Sequence, residues 1–201
     1  MKETPWDVRL ARLCLVPGLS NKKLTPNHFT LLRLLTGIFA AGLFALGEDF
    51  TEAAFIFALS NFIDHFDGEY ARLTNSTSKF GHFFDLLSDF IVTVSTFICI
   101  GIGLNKTGTD ILLVAQGVIA GVSVTFIFYI RYLIETQYGK ISSAQPSLAG
   151  FEAEDILYML PLVTYFEQTK TFLLLSALGA PIGAILVYIQ FVKLKRKENN
   201  L

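Results

Sequence analysis

Charge is scarce in this sequence of 201 residues. Asp, Glu, Lys and Arg together make up 16% of it, against the roughly 25% of an ordinary water-soluble domain. A conventional solvated surface all round is therefore excluded. Cysteine is nearly absent. Cys14 falls in a basic N-terminal stretch and Cys99 in an apolar run, with no CxxC and no Cys/His spacing. That removes both a disulfide framework and a zinc site. The first 28 residues are broken by charges and prolines, so no cleavable signal peptide is expected. Internal repeats, low-complexity segments and a separate soluble domain are also missing.

What is there instead is hydrocarbon. Hydrophobic residues make up 52% of the chain, including nineteen Phe, and the mean hydropathy is +0.52. The apolar runs divide into six segments at 29–47, 53–72, 81–104, 111–134, 151–168 and 171–192. Each is near the roughly 20 residues a helix needs to cross a bilayer. The expected fold is an all-α integral membrane protein: one domain over 1–201, with six transmembrane helices in 29–192 and a basic tail at 193–201. Residues 1–28 form the expected interfacial segment. There "TPWDVRLARLCL" reads as an amphipathic helix, with Trp6, Leu10 and Leu13 on one face and Arg9 and Arg12 off it.

Lys and Arg set the orientation. With six spans both termini share a side, and that side holds thirteen of these residues against two, Lys106 and Lys170, on the other. The termini are therefore expected in the cytoplasm, in a membrane of the bacterial inner type.

The sixteenth basic residue, Arg33, lies inside a span, and so do four acids. "NFIDHFDGEYARLTNSTSKFGHFFDLLSDF" carries Asp64 and Asp67 at the end of the second span and Asp85 and Asp89 at the start of the third. Asp64 lies eight residues before Arg72 and Asp89 eight after Gly81, about 12 Å deep in each case at ~1.5 Å per residue. An antiparallel pair of helices brings the four carboxylates level. Spacings of three and four put each pair on one helix face. Gly81 continues the second stripe and Gly68 adjoins Asp67; both leave room for a ligand to approach the backbone. One Asp costs about 2.5–3.5 kcal/mol at a span centre on the insertion scale, so four together require protonation or cations. Oxygen ligands favour hard ions such as Mg²⁺, Mn²⁺ or Ca²⁺. Simple pairing with Arg72 or Lys79 is the structural alternative. An intramembrane cation transporter or channel is the functional one.

The run Asp64-xx-Asp67-Gly68-xx-Ala71-Arg72-x8-Gly81-xxx-Asp85-xxx-Asp89 resembles the full signature of the class I CDP-alcohol phosphotransferases. The resemblance implies transfer of a phosphatidyl-type group from CDP-diacylglycerol, or another CDP-linked lipid, to an alcohol, with release of CMP. It implies Mg²⁺ or Mn²⁺, in one or two ions, held by Asp64, Asp67, Asp85 and Asp89, with Asp89 as the general base. Gly68, Ala71 and Gly81 would line a cytidine pocket that Arg72 helps to hold together. "TPNHFTLLR" resembles a Pro-Asn-xx-Thr-xx-Arg stretch bordering that site, which adds Asn27, Thr30 and Arg33 to the nucleotide residues. A plain helix cap followed by a snorkelling Arg is the alternative there. His65 and His82 neighbour motif residues and so point about 100° away from them; packing or hydrogen bonding is expected of both. The expected partners are the bilayer, the CDP-lipid, a small alcohol and a second copy of the chain, and no nucleic acid.

The acceptor is open at this level. Glu152, Glu154 and Asp155 precede the short apolar stretch from Ile156 to Phe166. They suit an amino alcohol, or an acceptor without a free phosphate, if they reach the mouth of the aspartate cavity, while a charged helix start explains them equally well. Arg131, and Lys140 nearby, keep phosphate-bearing acceptors in play.

Overall fold

The structure is a computed structural model that describes residues 13, 24–106, 108–139 and 157–199. Among them there is no strand. Six helices follow in order: α1 (Pro26–Leu46), α2 (Phe50–Thr74), α3 (Lys79–Leu104), α4 (Ile111–Tyr138), α5 (Leu160–Tyr165) and α6 (Thr169–Asn199). Apart from Leu13 and 24–28, the expected interfacial segment lies outside the described residues, as do Lys140, Glu152, Glu154 and Asp155.

Local chemistry fixes the helix ends that border the site. Thr25 is the extended cap of α1, Pro26 takes the first helical position, and the Thr25 N–H donates to His28 Nδ1 at 3.0 Å. Asp49 caps α2 by accepting from the N–H groups of Thr51 and Glu52 at 2.9 and 3.0 Å. Asn75 closes α2 in the left-handed region at φ 53°. Three residues later Ser78 caps α3, accepting from Gly81 N at 2.9 Å. The α2–α3 turn is thus short and defined at both ends, which brings the two aspartate-bearing helices side by side.

Four helices, α1, α3, α4 and α6 through Lys197, are long and apolar enough to cross a membrane. The fourfold pattern is what a multi-pass membrane protein requires. α2 is 25 residues long but carries Glu52, Asp64, Asp67, Glu69 and Arg72. The described part of the expected fifth span is a short turn at 157–159 followed by the six-residue α5. α6 continues as helix through the basic run expected to be a tail, ending at Asn199.

The outer surface is apolar where a soluble protein's would be polar, and several polar side chains lie inside. Leu35, Phe39, Phe55, Leu175, Leu178 and Ile182 face outward, while Thr30, Arg33, Ser60, Asp67, Glu69 and Ser88 are buried. In water this would be an aggregating surface; against lipid tails it costs nothing. The apolar core holds Ala40, Phe44, Ala54, Phe57, Val92, Phe97 and Ile100, where α1, α2 and α3 meet. Gly37 sets how closely they meet. A Cβ there would stand 2.5 Å from Val92 Cγ1 and 2.9 Å from Ser60 Oγ. Small residues at such crossings let membrane helices pack backbone to backbone.

Candidate active site

All four predicted aspartates come together at the end of the α1–α2–α3 trio nearest the α2–α3 turn. Asp64, Asp67 and Asp85 each offer a carboxylate oxygen, and these oxygens all lie within 4.8 Å of one another. Such proximity of three buried or half-buried acids calls for protonation or a neutralising cation. One oxygen of Asp85 is buried with no hydrogen-bond partner, an arrangement that is costly unless a ligand fills it. A set of three carboxylates with an orphan oxygen fits a hard divalent cation.

Asp89 is not part of this trio and is linked to it through Arg33. Arg33, only 3% exposed, reaches across from α1. Its Nη2 lies 2.6 Å from Asp89 Oδ1 and its Nε 2.7 Å from Asp64 Oδ1. The second contact is close but not aligned as a hydrogen bond, so its attraction is chiefly coulombic. Nη1 donates to Ser88 Oγ at 3.3 Å, and Ser60 Oγ donates back to the Arg33 carbonyl at 2.8 Å. A guanidinium bridging two carboxylates is the expected way for a membrane interior to tolerate a lone Arg. Thr30 sits one turn earlier on the same face and donates to Asp67 Oδ2.

Two cavities flank the aspartates. The first, about 360 Å³, is lined by Asn27, Thr30, Asp67, Gly68, Ala71, Arg72, Gly81 and Asp85, with Ser76, Thr77 and Ser78 of the α2–α3 turn. Six of the seven residues expected to surround a nucleotide therefore share one wall. Gly81 keeps it open, since a Cβ there would stand 3.0 Å from Asn27 Oδ1 and 3.1 Å from Ser78 Oγ and crowd both side chains. Arg72 is braced by Glu69, whose Oε1 accepts from Nη2 at 2.5 Å and Nε at 2.9 Å. Arg33 is the seventh, and it lies on the second cavity instead. It is drawn there because its charge is shared between Asp64 and Asp89.

The second cavity, about 270 Å³, is bounded by Asp64, Asp85 and Asp89 on one side and by Arg131, Tyr132 and Glu135 of α4 on the other. Asp85 and His82 line both cavities. His82 packs on Tyr132 with ring centroids 4.6 Å apart, and His65 Nε2 lies 3.1 Å from the Tyr158 hydroxyl; both histidines pack or hydrogen-bond as expected. Sequence reasoning passed over Ser60, Ser88 and Glu69. Each lies three or four residues from a motif residue on its own helix, and that spacing was the available signal.

Comparison with known proteins identifies the family and the fold. A CDP-diacylglycerol–serine O-phosphatidyltransferase of Helicobacter pylori is 33% identical over 90 residues, 42% of this chain and 38% of that one. An archaetidylinositol phosphate synthase of Pyrococcus horikoshii is 34% identical over 85 residues, 42% of this chain and 45% of that one. The chain thus spans less than half the length of the curated relatives it matches. Among solved structures, phosphatidylinositol phosphate synthase of Mycobacterium tuberculosis in complex with manganese and citrate superposes with a TM-score of 0.67, at 21% identity, over 92% of this chain and 88% of that one. The same enzyme with CDP-DAG bound gives 0.58, at 23% identity, over 94% and 90%. At these identities the likeness establishes a shared fold. The family model for CDP-alcohol phosphatidyltransferase matches residues 23–193, from just before α1 to the basic end of α6, and the chain belongs to that family.

Proposed function

We propose that this protein transfers the substituted phosphate of a CDP-linked lipid, such as CDP-diacylglycerol, to a small alcohol, releasing CMP. The observation that carries the reading is the junction of the two cavities at Asp85. A nucleotide-sized wall free of side chains at Gly81 opens onto a cation-seeking trio of carboxylates, and Asp89 stands beyond them on the second cavity. Cytidine would lie against Gly68, Ala71, Gly81 and Asn27, and its diphosphate would reach toward Asp67 and Asp85.

Asp64, Asp67 and Asp85 would hold Mg²⁺ or Mn²⁺, in one or two ions, with Asp89 close enough to a second. A divalent ion there supplies charge neutralisation for the diphosphate and the departing CMP. The chain's own residues do the rest. Thr30 orients Asp67, and Arg33 with Ser88 orients Asp89. Asp89 takes the proton of the acceptor hydroxyl as its oxygen bonds to the lipid-side phosphorus. The bond from that phosphorus to the bridging oxygen breaks, and CMP leaves with the electron pair. Kinship leaves the acceptor open, because the relatives are named for serine and for inositol phosphate products.

The same reading includes six spans, α2 and the 151–168 segment among them, and an interfacial N-terminal helix. It places the site at the cytoplasmic face of a bacterial-type inner membrane and takes a homodimer as the working unit. The thirteen-to-two bias of Lys and Arg supports the orientation. The test is CMP release from CDP-diacylglycerol by purified protein with a panel of alcohols, with and without EDTA. Metal-dependent, acceptor-dependent release is expected, and silence with every donor and acceptor would refute the reading.

A further inference from the structure

Beyond Val192, helix α6 runs on through four cations, Lys193, Lys195, Arg196 and Lys197. All four are exposed. Among the described residues none of them takes part in an ion pair or a side-chain hydrogen bond. Glu198 is the one acid that follows, so four positive charges less one leave +3 on 193–198. Cations suit the negative end of a helix dipole, which explains why this run stays helical but not why its charge is left unanswered. The run is also anchored. Leu194 and Phe191 pack against Ile130 and Ile134 of α4, and the rings of Phe191 and Tyr138 are 6.3 Å apart. The apolar segment 171–192 rises about 33 Å at ~1.5 Å per residue, enough for the ~30 Å of bilayer hydrocarbon. Lys193 to Lys197 then occupy about the next 7 Å, the depth of one headgroup layer.

The two ends of the molecule differ in sign. α3 and α4 run antiparallel, with Gly101 against Leu113 at one end and His82 against Tyr132 at the other. α4 and α6 finish together, so the basic run lies at the end that holds the α2–α3 turn and exposed Lys79. The opposite end carries Glu48, Asp49, Glu52, Asp110 and Glu167 against Lys106 and Lys170, five acids less two cations, or −3. We propose that the basic end of α6 is a docking surface for anionic lipid headgroups, and that it enriches such lipids at the end of the molecule where the aspartates lie. Lipid is the partner because the cations sit in the headgroup plane and line neither cavity, so they offer a free anion no enclosure. Each Lys or Arg beside an anionic lipid surface strengthens attraction by about fivefold. A zwitterionic headgroup carries its own ammonium and gains far less. The surface is separate from the transfer chemistry and does not depend on it.

The test titrates purified full-length protein in detergent with phosphatidylglycerol, with phosphatidylcholine of the same acyl chains, and with inorganic phosphate. Bound molecules are counted by native mass spectrometry at low and high ammonium acetate. Phosphatidylglycerol is expected to bind about tenfold or more tightly than phosphatidylcholine, and the gap should narrow in high salt. The combined variant Lys193→Gln, Lys195→Gln, Arg196→Gln and Lys197→Gln should lose about tenfold or more in phosphatidylglycerol affinity with phosphatidylcholine unchanged. Exchanging the three Lys for Arg and Arg196 for Lys keeps the charge and should keep the preference. Lys106→Gln with Lys170→Gln, at the opposite end, should keep it too. Equal binding of the two lipids by wild type would overturn the proposal and leave the cations a role in orientation alone. A preference that survives the fourfold substitution, or that is lost equally at the opposite end, would overturn it as well. Displacement of phosphatidylglycerol by millimolar inorganic phosphate would replace the lipid surface by a free-anion site. If the fourfold variant does not fold, the salt arm on wild type decides, and a preference indifferent to salt refutes the proposal.

Discussion

Replacing Arg33 by Gln tests whether the unloaded site depends on a resident cation. Arg33 is 3% exposed and lies 2.7 and 2.6 Å from Asp64 and Asp89. Gln keeps much of the volume and some hydrogen bonding but removes the charge. Breaking a buried ion pair by deleting one partner costs about 3–5 kcal/mol, because the other is left uncompensated. Both acids are about a quarter exposed, so solvent relieves part of this, and about 2–3 kcal/mol is a fairer figure. For a chain of this size each kcal/mol moves the melting temperature by about 2–4 °C. Arg33→Gln should therefore melt about 4–12 °C below wild type without divalent metal. Metal supplies the missing charge. At a hundred times its dissociation constant a ligand contributes about 2.7 kcal/mol, so saturating Mn²⁺ should recover much of the loss. The assay is thermal denaturation in detergent, read as the monodisperse fraction left after heating. Melting of the EDTA-treated variant at the wild-type temperature would refute the reasoning. So would the absence of any Mn²⁺ effect on either protein.

Further predictions concern single contacts. Gly81→Leu should abolish CDP binding while leaving helix content intact, as seen by calorimetry and circular dichroism, because a side chain there runs into Asn27 and Ser78. Asp67→Asn or Asp85→Asn should weaken Mn²⁺ binding outright, whereas Thr30→Val, which removes the hydrogen bond that Asp67 accepts, should weaken it by about tenfold. Asp89→Asn should cut turnover by about 10²–10⁴ with little change in CDP affinity; a comparable loss of Mn²⁺ affinity would make it chiefly a ligand.

The aspartate cluster was legible in the sequence because helix geometry converts spacing into position. Two acids before a short turn and two after it, at matched distances, can meet only at one depth, and the caps of Asn75 and Ser78 keep that register. Gly68 and Gly81 followed from the same spacing, whereas Ala71 came with the family resemblance; all three line the first cavity. Spacing put Arg33 on the helix face of Asn27 and Thr30, and its side chain lies between Asp64 and Asp89 on the second cavity. Its sequence neighbours Asn27 and Thr30 suggested the nucleotide wall, but a long side chain goes where the charge is, and Asp64 and Asp89 drew it to the other cavity. Of α4, only Arg131 was legible as a candidate. Tyr132 and Glu135 join the site only because α4 packs along α3, a tertiary fact that no local pattern of their own encodes. At α6 the helix continues past the apolar stretch into the basic run, which hydropathy alone does not mark.

The central claim is a transfer, and phosphorus accounting tests it most directly. Purified protein is given CDP-diacylglycerol, Mn²⁺ and serine, and ³¹P NMR follows the lipid phosphorus and the CMP together. The account predicts one new lipid phosphodiester for each CMP released, in wild type and not in Asp85→Asn, and neither product after EDTA. CMP accompanied by phosphatidic acid instead of a phosphodiester, or an unchanged spectrum with this and every other alcohol tried, would contradict it.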